Sequence, residues 1–139
     1  MNKIELKILI GLHRNVNNID KKTSKIVSEF NLTLSQFMVL EALYSKGDMT
    51  VGEVRDRILS SVGTITLIID NLVKMKYVER LKKCNDRRVC ILHLTEKGYE
   101  VISKVAPLNE YMILESMNNL NQDEKANLLF LLKKMGENN

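Results

Sequence analysis

The hydrophobic pattern changes period at Met75–Lys76, and that change does most to limit what this chain can fold into. Upstream, Val62, Ile65, Ile69 and Leu72 recur every three to four residues, which is one face of an amphipathic helix. Downstream, Val78–Lys83 and Val89–Leu94 are β-prone runs of strand length. Between them lies Cys84-Asn85-Asp86-Arg87-Arg88, polar and turn-forming. The segment therefore reads as a helix followed at once by a β-hairpin with a charged tip.

Helical signals surround this unit. Ile4, Ile8, Leu12, Val16 and Ile19, then Ile26, Val27 and Phe30, extend one helical spacing to a break at Asn31-Leu32. Thr33 with Gln36, Thr50 with Glu53, and Asn121 with Glu124 are capping-box patterns, and each predicts a helix start. The helix after Thr33 is expected to bury Phe37, Leu40, Leu43 and Tyr44 and to stop at Gly47. A short helix follows with Val51, Val54 and Ile58 on its apolar side, and Ser60 or Ser61 caps the next. Thr95 caps a helix through Ile102 and Val105, in which Pro107 predicts a kink or a stop. A last helix carries Leu128, Leu129, Leu131, Leu132 and Met135. The fold class is mainly α with a small β-hairpin wing (α+β): a winged helix-turn-helix between N- and C-terminal dimerisation helices. Residues 1–139 form one unit, with the winged helix-turn-helix at 33–95 and the dimerisation helices at 1–30 and 96–136.

Charge is distributed unevenly. Arg55 to Arg88 holds nine Lys/Arg against four Asp/Glu, while the rest of the chain is slightly acidic. That segment has the footprint of a polyanion-binding surface. No Ser-His-Asp arrangement, Gly-rich phosphate loop or carboxylate pair shaped for catalysis is present, so enzyme chemistry is not expected. Two histidines far apart build no metal site, and no cofactor is implied. The charged residues Glu5 and Lys7 interrupt the apolar N-terminus, and no run approaches a membrane span, so a cytoplasmic protein is expected.

A short helix, a tight turn and a second amphipathic helix form a helix-turn-helix, whose second helix fits the major groove of duplex DNA. Its leading residues, Ser61, Gly63, Thr64, Thr66 and Leu67, would face base edges and phosphates. Hydroxyls donate or accept there, Gly63 lets the backbone approach, and Leu67 suits thymine methyls. On the hairpin, Lys82 and Lys83, with Arg80, would lie beside phosphates. An arginine at the tip, Arg87 or Arg88, suits a narrow minor groove, and Asp86 would hold it in position. A winged helix that serves only protein contacts is the competing reading, and steep salt dependence of duplex binding separates the two.

The order and spacing of IIDNL, YVER, NDRR and LHLTEKG, within TVGEVRDRILSSVGTITLIIDNLVKMKYVERLKKCNDRRVCILHLTEKG, resembles the MarR family of bacterial regulators. The flanking helices match as well. The resemblance implies a homodimer with interlocked terminal helices, each subunit offering one winged helix-turn-helix to half of a pseudo-palindromic operator. It puts Ser61–Leu67 on the recognition helix and Asp86 and Arg88 on the wing motif. It also implies release of DNA by a small aromatic or phenolic ligand, or by cysteine oxidation. Two positions depart from the family pattern. Lys76 stands where glycine commonly ends the recognition helix, so Lys76 must take a positive φ or the helix must end differently. Leu67 and Asn71 occupy a stretch that often carries arginine.

The terminal helices support pairing independently, because a chain of this length has too little globule to cover their apolar faces. His13, Arg14, Tyr44 and Tyr111 are the candidate ligand-pocket residues, with Tyr99 also near the expected crevice. His93, in a wing strand, reads as structural. Redox-sensing members of the family it resembles that use a peroxide-reactive cysteine carry it near the N-terminus, where this chain has none; Cys84 and Cys90 flank the wing tip instead and are the candidate redox pair, beside nearby cations that can lower a thiol pKa.

Overall fold

A computed structural model of the chain describes residues 3–58, 62–81 and 90–137. Helices α1 (Ile4–Ser28) and α2 (Leu34–Lys46) come first, then strand β1 (Met49–Thr50) and helices α3 (Val51–Ile58) and α4 (Val62–Lys74). Strands β2 (Val78–Arg80) and β3 (Ile91–Leu94) follow, and α5 (Glu96–Ser116) and α6 (Gln122–Gly136) complete the order.

The caps act as the sequence predicts. Thr33 and Gln36 exchange side-chain-to-backbone bonds at 3.0 and 3.1 Å. Thr50 and Glu53 do so at 3.3 and 3.1 Å, and Asn121 and Glu124 at 3.0 and 2.8 Å. Each box satisfies two backbone donors that a helix start would leave unpaired. Asn31 takes φ 59°, and the Leu32 amide returns to the Val27 carbonyl at 3.1 Å, which ends α1 and turns the chain into α2. Gly47, at φ 82°, ends α2.

The core is aliphatic. Leu40 and Leu43 of α2, Ile65, Ile69 and Leu72 of α4, Val78 and Leu92 of the sheet, and Ile102 and Val105 of α5 converge with Val27 and Phe37. Leu40, Leu72 and Leu92 are wholly buried. Truncating any of them to alanine removes roughly 2–5 kcal/mol of stability, enough to threaten a fold held by about 5–15 kcal/mol. One buried polar pair joins the helices that flank this core: the Thr23 hydroxyl donates to Asn109 Oδ1 at 2.8 Å, tying α1 to α5.

Three expectations need correction. The sheet has a third strand, because β1 pairs antiparallel with β3 (Met49↔Leu92, Thr50↔Ile91) and places β3 in the centre. Two residues are too few for an alternating pattern to register in sequence. Tyr44 is exposed, its ring edge-on to Tyr99 with centroids 5.4 Å apart. It shares the helix face of Phe37 and Leu40 but stands in the last turn of α2, at the edge of the core. Pro107 does not stop α5, which runs unbroken through it. Burial of Val105, Ala106 and Asn109 on either side holds the helix where its own hydrogen bonding is interrupted.

Among the described residues α6 buries no side chain, and Leu128, Leu129, Phe130, Leu131 and Leu132 are all exposed in the single chain. Ile4, Leu6, Ile8, Leu9 and Ile10 of α1 and Leu108, Tyr111 and Leu114 of α5 are exposed as well. No helix among the described residues is long and apolar enough to cross a membrane.

Candidate nucleic-acid interface

Helix α4 has two distinct faces. Ile65, Ile68, Ile69 and Leu72 face the core, while Thr64, Thr66 and Leu67 face outward, Leu67 with 62% of its surface exposed. Thr64, Leu67, Asn71 and Lys74 follow at i, i+3, i+7 and i+10, so they line one ridge along the helix. Asn71 on that ridge is half-buried and Lys74 is exposed. Gly63 stands in the first turn of α4. The outer ridge is thus polar at its N-terminal end, apolar at Leu67 and cationic at its C-terminal end.

Strands β2 and β3 follow α4 directly and pair antiparallel, with Val78 opposite Leu94, Glu79 opposite His93 and Arg80 opposite Leu92. Lys76 makes the connection by taking φ 64°, the first of the two outcomes that a lysine in place of glycine allowed. The hairpin begins where the sequence puts it. Ser61, Lys82, Lys83, Cys84, Asp86, Arg87 and Arg88 lie outside the described residues.

The described arginines of the basic segment are held by acids. Arg80 Nη2 lies 2.5 Å from Asp70 Oδ1, joining β2 to α4. Arg55 meets its neighbour Asp56 at 3.3 Å, and Arg57 stands 3.9 Å from Glu41. Arg80 is therefore a strut between the hairpin and the helix, where the sequence suggested a phosphate contact. Asp70 is a residue that sequence reading missed. Its partner stands ten positions away across a helix end, beyond the reach of the i, i+4 pairing rules. Asp70 and Arg80 also border a cavity of about 560 Å³ with Thr66, Ile69, Leu81, Val51 and Cys90, between α4, β2 and the start of α3. His93 Nδ1 lies 2.7 Å from Asp48 Oδ1, a contact that ties β3 to the residue before β1 and fits the structural reading of His93.

The candidate sensor residues are dispersed. His13 and Arg14 are exposed along α1, Tyr111 is exposed on the C-terminal half of α5, and Tyr44 pairs with Tyr99. Cys90 is buried just before β3 and is disulfide-bonded. No group of three or more His, Cys, Asp or Glu among the described residues is arranged to hold a metal ion.

Comparison with known proteins agrees with this geometry. A family model described as transcriptional regulator SarA/Rot matches residues 21–105. The HTH-type transcriptional regulator MhqR of Bacillus subtilis is 32% identical over 138 residues, which is 99% of this chain and 95% of that protein. MarR of Escherichia coli, in a crystal structure of a variant complexed with operator DNA, superposes with a TM-score of 0.80 at 30% identity, covering 95% of this chain and 94% of that one. BpsR of Bordetella bronchiseptica, whose DNA binding is regulated by 6-hydroxynicotinic acid, shares the fold at a TM-score of 0.83 and 24% identity, covering 94% of this chain and 98% of that one. With its helix-turn-helix, its three-stranded wing sheet and these matches along nearly the whole length, the chain belongs to the MarR family of winged helix-turn-helix transcriptional regulators.

Proposed function

We propose that this regulator acts as a cytoplasmic homodimer that represses transcription by binding a pseudo-palindromic operator, and that a small aromatic or phenolic molecule releases it. The observation that carries the reading is the division of α4 into a buried apolar face and an outward ridge starting at Thr64 and Leu67. A helix packed this way offers its N-terminal turns to a groove about 12 Å wide. Ser61, Gly63, Thr64, Thr66 and Leu67 read the major groove, and Lys82, Lys83, Asp86, Arg87 and Arg88 bring the wing to phosphates and the adjoining minor groove.

The exposed apolar surfaces of α1, α5 and α6 support the homodimer. Five successive apolar residues, Leu128 to Leu132, point all round α6. A helix of that kind is stable in water only when enclosed, and two-fold pairing encloses it while presenting two recognition helices to one face of DNA. His13, Arg14, Tyr44 and Tyr111 remain the candidate effector contacts. Cys90 is in a disulfide, which supports oxidation and reduction of the wing cysteines as a second route of control, with Cys84 the other cysteine of the sequence.

The experiment is selection of duplexes from a random library by the purified protein. Recovery of an inverted repeat whose half-sites lie about one helical turn apart supports the reading. Recovery of no preferred sequence at about 100 mM salt, where phosphate contacts still attract any duplex, overturns it.

A further inference from the structure

The LTEKG stretch that opens α5 takes part in neither the groove-facing ridge nor the exposed apolar face, yet it grips the link Met75–Tyr77 by which the chain leaves the recognition helix. Three successive carbonyls of that link are taken by two residues. Lys97 Nζ donates to the Met75 carbonyl at 3.2 Å, Thr95 Oγ1 donates to the Lys76 carbonyl at 2.6 Å, and the Thr95 amide donates to the Tyr77 carbonyl at 3.0 Å. The same Thr95 hydroxyl accepts from the Gly98 amide at 3.0 Å, so one oxygen caps α5 and holds α4. Lys97 also stands over the Tyr77 ring, 5.2 Å from its centroid. A Cβ on Gly98 would lie 2.1 Å from the Tyr77 carbonyl oxygen, so only glycine admits this approach. The amides of Met75, Tyr77 and Lys76 take the carbonyls of Asn71, Leu72 and Val73 in the last turn of α4, and the carbonyls of Met75, Lys76 and Tyr77 in the link that follows are taken from the start of α5.

Helix α5 has 21 residues and is roughly 30 Å long at 1.5 Å per residue. Its first turn holds α4. Its far half carries exposed Leu108, Tyr111 and Leu114. We infer that Thr95, Lys97 and Gly98 form a positioning clamp that transmits the set of α5 to the recognition helix, so that the way two chains pair fixes the half-site spacing the dimer accepts. The inference rests on the homodimeric operator-binding reading above and adds to it the residues that determine spacing specificity. The clamp touches no DNA. It acts by removing freedom between the two recognition helices.

The test uses the duplex selected by the parent protein and the same duplex with one base pair inserted at its centre, and it reads the ratio of the two affinities. The parent should lose about tenfold or more on the insertion, comparable to a mismatched base pair. Lys97→Met combined with Thr95→Ala should shrink that ratio at least about threefold, and Thr95→Ser in place of Thr95→Ala should recover part of it. A control, Thr33→Ala, removes a helix cap of similar strength elsewhere, so any loss of affinity falls equally on both duplexes and the ratio stays that of the parent. Should the double variant fail to fold, Lys97→Met alone carries the test, because Lys97 is exposed and its stem survives the change. A parent-like ratio in a folded clamp variant, a ratio moved equally by Thr33→Ala, or a parent indifferent to the insertion overturns the clamp and leaves operator binding standing. A parent that selects no duplex removes the underlying reading and the clamp with it.

Discussion

Replacing Gly98 by alanine tests the junction of α4 and α5 by its stability alone. An ideal Cβ there meets the Tyr77 carbonyl oxygen at 2.1 Å, the Tyr77 carbonyl carbon at 3.0 Å and Leu94 Cδ1 at 2.9 Å. An ordinary carbon–oxygen contact needs about 1 Å more than the first of these distances. The Tyr77 carbonyl cannot swing aside freely, because it accepts from the Thr95 amide. Overpacking of this kind costs about 1–3 kcal/mol, and loss of the hydrogen bond adds about 1 kcal/mol. Against that, alanine is favoured over glycine inside a helix by about 1 kcal/mol. The net is a loss of about 1–3 kcal/mol, or a fall in Tm of roughly 3–10 °C for a chain of this size. Gly11 is the internal control, since a Cβ there meets nothing within 4 Å and Gly11 sits within α1. Gly11→Ala should raise Tm by a few degrees at most, corresponding to about 0.5–1 kcal/mol. Both are measured by thermal melts at one protomer concentration, because an oligomer's Tm depends on it. A Gly98→Ala protein that melts with the parent or above it refutes the close approach of α5 to Tyr77.

Arg88→Ala should weaken binding to the selected operator by roughly 1–3 kcal/mol in a titration at moderate salt, and parent-like affinity would rule out the wing assignment. Leu129→Glu with Leu132→Glu on α6 should convert the dimer to monomer in sedimentation at micromolar concentration; an unchanged dimer places the pairing surface elsewhere. Operator affinity of the parent should differ between protein reduced with dithiothreitol and the same protein reoxidised with diamide, and that of the Cys84→Ser/Cys90→Ser protein should not, whereas equal responses dismiss redox control by the wing.

The helices were legible in the sequence because each carries its own punctuation. Thr33, Thr50, Thr95 and Asn121 cap as expected, Gly47 stops α2, and the three- to four-residue recurrence of Ile65, Ile69 and Leu72 is the buried face of α4. The features that stayed hidden depend on the meeting of distant segments. Strand β1 exists because β3 lies beside Met49 and Thr50, and nothing in two residues announces that partner. Pro107 is tolerated because Val105, Ala106 and Asn109 beside it are buried, with Asn109 tied to Thr23 of α1, which a local rule for proline does not contain. Lys76 is intermediate: its positive φ was one of two outcomes the sequence allowed, and the Thr95 hydroxyl on its carbonyl shows what holds it there.

The same distinction governs the charges. Read along the chain, Arg55, Arg57 and Arg80 belong to the basic segment, and each adds to its apparent attraction for a polyanion. In the fold each meets a carboxylate, Asp56, Glu41 and Asp70 respectively. An arginine already paired contributes less to counterion release, since its charge is partly neutralised before DNA arrives. These three pairs are partly exposed and individually weak, so DNA can compete for them, but doing so gives back part of the gain. The salt dependence of operator binding should therefore follow the lysines and arginines of residues 82–88 more closely than Arg55, Arg57 or Arg80. Removing Arg80 should instead loosen the hairpin from α4, and its effect on affinity should persist at salt concentrations that erase a simple phosphate contact.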